Sequence, residues 1–257
     1  MPPLARTLTI GTLVVLLWLG INWLYHAADK PTEALFPLER SLNKSPADTW
    51  AQYGSLFQQH ATKTITPELL AALAQVEGAG NPMARTYWRW QWSWNPLEWY
   101  QPASSAVGMY QITDATFRDA QRFCVHDHVV VSEGSWNDIH SCWLNSFYFR
   151  VVPSHAIELT SAWLDRSVER TVAHRRKQPT IAQLQDLAAV IHLCGAGAGQ
   201  SFAQRDFRLT AQQRCGDHTV ADYLHRVRGL QHLFVKLRGA ATPTVEDRNE
   251  RLGRDSR

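Results

Sequence analysis

The chain is short of charge imbalance. Lys and Arg number 26 against 23 Asp and Glu, a formal net charge of +3 over 257 residues. A protein built around nucleic-acid phosphates needs a concentrated basic face, so nucleic acid is an unexpected partner. It also has no second long apolar run and no internal repeat. A mean hydropathy of −0.29 excludes a multi-span membrane protein, and a hydrophobic share of 45% excludes a disordered chain. Cysteine is scarce, four in all, with none before Cys124. Tryptophan is the reverse: 11 residues, several of them clustered.

The one long apolar run is Leu8 to Tyr25, without a charged residue. At about 1.5 Å per residue it reaches roughly 27 Å, close to a bilayer's hydrocarbon thickness. Trp18, Trp23 and Tyr25 crowd its C-terminal half like an interfacial aromatic belt. Arg6 precedes the run and Asp29 and Lys30 follow it, so the positive-inside rule puts the N-terminus in the cytoplasm and the rest outside. A cleaved signal peptide is the rival reading. Cleavage near Ala27 or Ala28 would place Tyr25 or His26 at the −3 position, where a small residue is wanted. Residues 1–25 are therefore read as cytoplasmic stub and single transmembrane helix.

Residues 26–46, with three prolines and little periodicity, read as a spacer, and the residues beyond 240 as a disordered tail. Between them, 47–239 form one mostly α-helical domain. A short helix runs to about Ala61. Thr66-Pro67-Glu68 starts another, with Thr as cap and Pro in the first turn. Leu69, Leu70, Leu73 and Val76 give it an apolar face, and Gly78 and Gly80 end it. Apolar spacings predict further helices near 113–123, 137–149, 155–176, 180–194 and 219–237.

Cysteine placement fits an oxidising compartment. Cys124, Cys142, Cys194 and Cys215 allow three pairings. Neighbour pairing would close two loops of similar size, each worth about 3 kcal/mol in the chain-entropy model. The competing use is metal: Cys124, His126, Asp127, His128, His140 and Cys142 are ligand types at short spacing. Outside the reducing cytosol disulfides are favoured over thiolate ligands, so no metal is expected there.

Glu77 shares a stripe with Leu70 and Leu73 in the last turn of its helix. Burial and the negative end of the helix dipole both penalise a charged carboxylate there. A carboxyl kept protonated is what general-acid attack on a glycosidic oxygen requires. On spacing alone, a glutamate turned out to solvent at a frayed helix end is the favoured reading.

The flanking residues add a resemblance. Glu77-Gly78-Ala79-Gly80-Asn81-Pro82 resembles the Glu-Ser-x-x-Asn-Pro element of lytic transglycosylases of the SLT type. Ser105 to Ile112 is similar to that family's Gly-Ala-x-Gly-Leu-Met-Gln-Ile element, and Thr113 to Phe117 falls at its following helix start. His155 to Leu159 with Trp163-Leu164, Ala189 to Gly197, and Asp222-Tyr223-Leu224 with Val227 resemble the remaining elements, in order. Two departures stand out: Gly78 replaces a serine, and His192-Leu193 replaces a Tyr-Asn pair. Residues 84–103 and 124–152 look like insertions.

The resemblance implies a lysozyme-like helical domain that cleaves the MurNAc–GlcNAc bond of peptidoglycan non-hydrolytically, in the periplasm at the bacterial inner membrane. It implies Glu77 as sole acid, with Met109, Tyr110, Gln111, His192 and Tyr223 around the substrate and no cofactor. The expected partners are glycan strands, the membrane through the anchor, and envelope or secretion machinery. Two alternatives stay open: a lysozyme-like hydrolase using Asp114 or Glu98 as second carboxylate, and a non-catalytic peptidoglycan-binding envelope protein.

The segment Tyr87-Trp88-Arg89-Trp90-Gln91-Trp92-Ser93-Trp94 alternates aromatic and polar residues. Strict alternation puts Trp88, Trp90, Trp92 and Trp94 on one face of an extended strand. Such a face suits sugar rings in a substrate-binding platform, packing beneath an insertion, or docking to a membrane or partner.

Overall fold

A computed structural model of the chain describes residues 2–35, 39–135, 137–138 and 141–241. It is mostly helical, with eight α-helices and three two-stranded hairpins among the described residues. Helix α1 (Pro3–Asp29) stands at the N-terminus. Helices α2 (Pro46–Gln59) and α3 (Pro67–Gly78) follow, then the hairpin of β1 (Trp88–Trp90) and β2 (Tyr100–Pro102). Helix α4 (Asp114–Ala120) leads to a second hairpin, β3 (Phe123–His126) with β4 (Val129–Ser132). Helices α5 (Pro153–Val172), α6 (Ile181–Cys194) and α7 (Ala196–Gln204) precede the small hairpin β5–β6 (Arg214–Cys215, His218–Thr219) and α8 (Val220–Ala241).

The helix starts are written locally. Ser45, Thr66, Thr113 and Thr180 each accept a hydrogen bond from the backbone N–H three residues on, satisfying a donor the helix itself leaves free. Thr180 and Gln183 complete a capping box. Ala79 turns α3 off in the left-handed region at φ 49°, and the Gly80 N–H returns to the Ala74 carbonyl at 3.1 Å.

Helix α3 is the core. Leu69 through Ala74 are inaccessible to solvent, because α2, α5 and α8 pack around the helix rather than along one stripe of it. Phe57, Ile157, Leu164, Val190, Tyr223 and Phe234 complete the main cluster. Glu77 thus emerges at the end of a helix whose preceding two turns are fixed by packing.

Several expectations change. The helix expected over 137–149 is only a 3-10 turn at Trp143–Phe147, and residues 136, 139 and 140 lie outside the described residues. Tertiary ties govern this segment: the Cys124–Cys142 disulfide, and the Asn145 amide donating to the Phe123 carbonyl at 2.6 Å. The region of the second insertion instead carries β3–β4, turned by Asp127 and His128, both at positive φ, as a two-residue primed turn requires. The Val125 N–H donates to Glu158, which seats this hairpin on α5. Helix α7 was not expected. A Cβ at Gly199 would fall 2.3 Å from Ile191 Cγ1, so the glycine that obscures the helical pattern is what lets α7 lie against α6.

The spacer reading of 26–46 does not describe residues 26–34. Glu33 is fully buried, accepting from Arg85 at 2.6 Å and from the Trp88 indole at 2.8 Å, and Lys30 donates to the Ala106 carbonyl at 2.9 Å. The proposed tail beyond 240 begins inside α8, and 242–257 lie outside the described residues.

Candidate active site

Glu77 occupies the last turn of α3 with its side chain 16% exposed. Two elements distant in sequence meet its carboxyl. The Tyr223 hydroxyl, from the first turn of α8, donates to Glu77 Oε1 at 2.6 Å. His192 Nε2, from the last turn of α6, lies 3.6 Å from the same oxygen. Burial, then the Glu77 charge and hydrogen bond, hold the Tyr223 hydroxyl well above the usual tyrosine range, so it stays a donor. Burial holds His192 below the ordinary histidine value against the opposing pull of Glu77. Near neutral pH its ring is therefore uncharged.

The Val107–Ile112 turn closes the site from another side. Val107 and Ile112 exchange backbone hydrogen bonds, and the Gly108 N–H donates to the Ala84 carbonyl at 2.7 Å. The Gln111 amide donates to the Ala84 and Gly108 carbonyls, holding the turn onto the loop that follows α3. The approach is close: a Cβ on Gly78 would meet Met109 Cα at 2.9 Å. This gives the glycine that replaces the family's serine a packing reason.

A cavity of about 270 Å³ opens beside this cluster, lined among others by Gln111, Thr113, Thr116, Trp163, His192 and Leu193. Gln111 and His192 therefore face it. Met109 and Tyr110 do not: both are fully buried, forming the floor behind the acid, with the Tyr110 ring edge-on to His192 at 6.5 Å. Trp163 and Thr116 line the cleft without having been singled out as cleft residues. Trp163 packs against the hydrophobic core, where a cleft residue and a core residue read alike.

The tryptophan segment differs from its expectation. Strand β1 ends at Trp90, so the alternation does not extend to Trp94. Trp88 and Trp90 do share a face, both against Tyr100, but Trp92 stacks on Trp99 and Trp94 is 98% exposed. The reason is the Ser93–Glu98 turn, in which Ser93 and Asn95 both donate to the Glu98 carboxylate. Trp88 and Trp90 pack against α1, through His26 and Trp18, rather than beside the Glu77 cleft.

The cysteines form Cys124–Cys142 and Cys194–Cys215, so none is a thiolate ligand. His140 of the alternative ligand set lies outside the described residues. The second disulfide joins the end of α6, two residues beyond His192, to the hairpin that leads into α8 and Tyr223.

Residues 55–128 match the family model of the transglycosylase SLT domain. The match covers Glu77 and the Gly108–Gln111 turn and points to lytic transglycosylase activity on peptidoglycan. It stops before α5–α8, so His192 and Tyr223 join the SLT segment through the fold. No curated protein matches the chain.

Proposed function

We propose that the protein is a membrane-anchored lytic transglycosylase of peptidoglycan, with Glu77 as its single acid and base. The observation that carries this reading is the Glu77 carboxyl, mostly buried, held by Tyr223 at 2.6 Å beside a cleft that His192 and Gln111 line. Glu77 protonates the oxygen between N-acetylmuramic acid and N-acetylglucosamine, and the C1–O bond breaks. The substrate's acetamido group supports the cationic C1. The muramoyl C6 hydroxyl then bonds to C1 as its proton passes to the Glu77 carboxylate, which restores the acid and closes a 1,6-anhydro ring. No water enters the balance.

The hydrolase alternative loses its second carboxylates. Asp114 pairs with Arg150 at 2.7 Å, and Glu98 is engaged by Ser93 and Asn95 in the tryptophan hairpin. Both are committed to other partners, whereas a paired mechanism needs two carboxylates facing one bond.

Helix α1 is long and apolar enough to span a membrane, and none of the residues in its most apolar window is buried in the domain. With the domain on the periplasmic side of the inner membrane, the cleft faces the compartment that holds the glycan. Residues 47–239 serve as the catalytic domain.

Mass spectrometry of sacculi digested with the purified protein tests the reaction. Anhydro-muropeptides are expected. Reducing ends would replace the lyase by a hydrolase, and intact sacculi would leave a binding protein. Glu77→Gln should lower the rate by about 10²–10⁴, the usual worth of general acid–base catalysis. Full activity in that variant removes the acid assignment.

A further inference from the structure

The tryptophan hairpin and the N-terminal helix form one body. Asn22 and His26, one turn apart on α1, both reach the Leu97 carbonyl, at 2.6 and 2.8 Å. Trp18 stacks on Trp90 with ring centroids 5.9 Å apart and planes 16° apart, and Trp99 lies 6.3 Å from the same ring. Trp92 in turn stacks on Trp99. The hairpin therefore grips α1 from Trp18 onward, while Leu8, Ile10, Leu13, Val14 and Leu17 stand bare.

This sets the hairpin's height. Trp18 lies seven residues before Tyr25, the end of the apolar run, which at about 1.5 Å per residue is roughly 10 Å along the helix. The ring stacked on it, Trp90, sits at that same depth. Trp90, Trp92 and Trp94 are 68, 82 and 98% exposed. Only Gln91 and Ser93 lie between them, both uncharged. Three large indoles left open to water at the tip of one hairpin are not core packing. Nor do they form a wall of the cavity that His192 and Gln111 line. Indoles carry an apolar body and one N–H, which suits the boundary between acyl chains and headgroups.

We propose that the Trp90–Trp94 tip inserts into the leaflet facing the domain, in the same bilayer that α1 crosses, with phospholipid as its partner. The inference rests on α1 being a membrane span and is independent of the reaction. The full chain is reconstituted into phosphatidylglycerol/phosphatidylcholine nanodiscs with one added cysteine, at Leu13, Trp94 or Lys63, carrying a nitroxide. Since Cys124, Cys142, Cys194 and Cys215 are paired, the added thiol alone takes the label under non-reducing conditions. The oxygen-to-nickel-chelate accessibility ratio is expected to shift at Trp94 to the level at Leu13, well above exposed Lys63. A lipid-like ratio at Leu13 with a Lys63-like ratio at Trp94 overturns the insertion and leaves the anchor standing. Water-like ratios at both overturn anchor and insertion together. Shielding of the Trp94 label only when muropeptides are added would make the tip a glycan platform, and overturns it too. Because Trp94 is almost wholly exposed, its replacement leaves the fold intact; Trp92→Cys supplies the repeat.

Discussion

Tyr223 and Glu77 are 146 residues apart, and the phenol donates a 2.6 Å hydrogen bond to the carboxyl. Tyr223 is itself buried, so the bond is made away from water, between a helix end and a helix start that pack side by side. It fixes one of the two carboxyl oxygens in place.

Removing that bond should cost activity more than stability. Leaving a buried acceptor without its donor costs about 1–3 kcal/mol. Tyr223→Phe is therefore expected to lower the rate of anhydro-muropeptide release by roughly 10- to 100-fold. The ring keeps its packing, so the thermal midpoint should fall only by what the lost bond accounts for, a few degrees. An unchanged rate would show that the carboxyl needs no such support.

Placing a serine at position 78 should harm this protein. With Met109 Cα at 2.9 Å from a Cβ at position 78, Gly78→Ala and Gly78→Ser both press a side-chain carbon into the Met109 backbone. A loss of about 1–3 kcal/mol is expected in denaturant unfolding, with serine no better than alanine. A stabilised Gly78→Ser variant would mean the turn can withdraw at little cost.

Stability should fall on mild acidification. Burial is the leading cause lowering His192, His60 and His155 from the ordinary histidine value. Between its lowered value and about 6.5, each ring holds fewer protons folded than unfolded. Their contribution is complete above about 6.5 and declines as pH drops toward the folded values. Asp165, which burial raises, acts in the opposite sense nearer the carboxylate range. Thermal midpoints followed from pH 7.5 to 5.5 should decline, and His192→Gln should decline less steeply. Parallel slopes would refute the part given to His192.

Reduction should loosen the site before it unfolds the domain. Cys194–Cys215 spans 21 residues and ties the flanks of His192 and Tyr223 together. Cys194→Ser with Cys215→Ser should cost about 3 kcal/mol, a loss readable in the denaturant midpoint. Activity should drop further than the Cys124→Ser, Cys142→Ser pair makes it drop, because that disulfide holds the β3–β4 hairpin instead.

Much of this was legible in sequence where the signal is local. Thr66 and Thr180 mark helix starts through their own side chains, and Glu77 is placed by its distance from Thr66. His192 and Tyr223 could be named from the ordered family-like elements, and the structure brings both to Glu77. What was hidden depends on partners far along the chain. Asn22 and His26 pass as polar interruptions of an apolar helix until the Leu97 carbonyl is seen between them. Glu33 looks like a linker residue until Arg85 and Trp88 close over it. Helix α7 was masked by glycines whose purpose, at Gly199, is proximity to Ile191.

The shared Leu97 carbonyl and the buried Glu33 have a consequence for reach. A domain on a slack tether sweeps a hemisphere, and its cleft meets strands at any angle. On the proposed anchoring, helix and domain turn as a single piece, so the cleft keeps one compass bearing and one altitude above the bilayer. Glycan must be presented to it at that height, and a partner wishing to redirect it would have to tilt the helix itself.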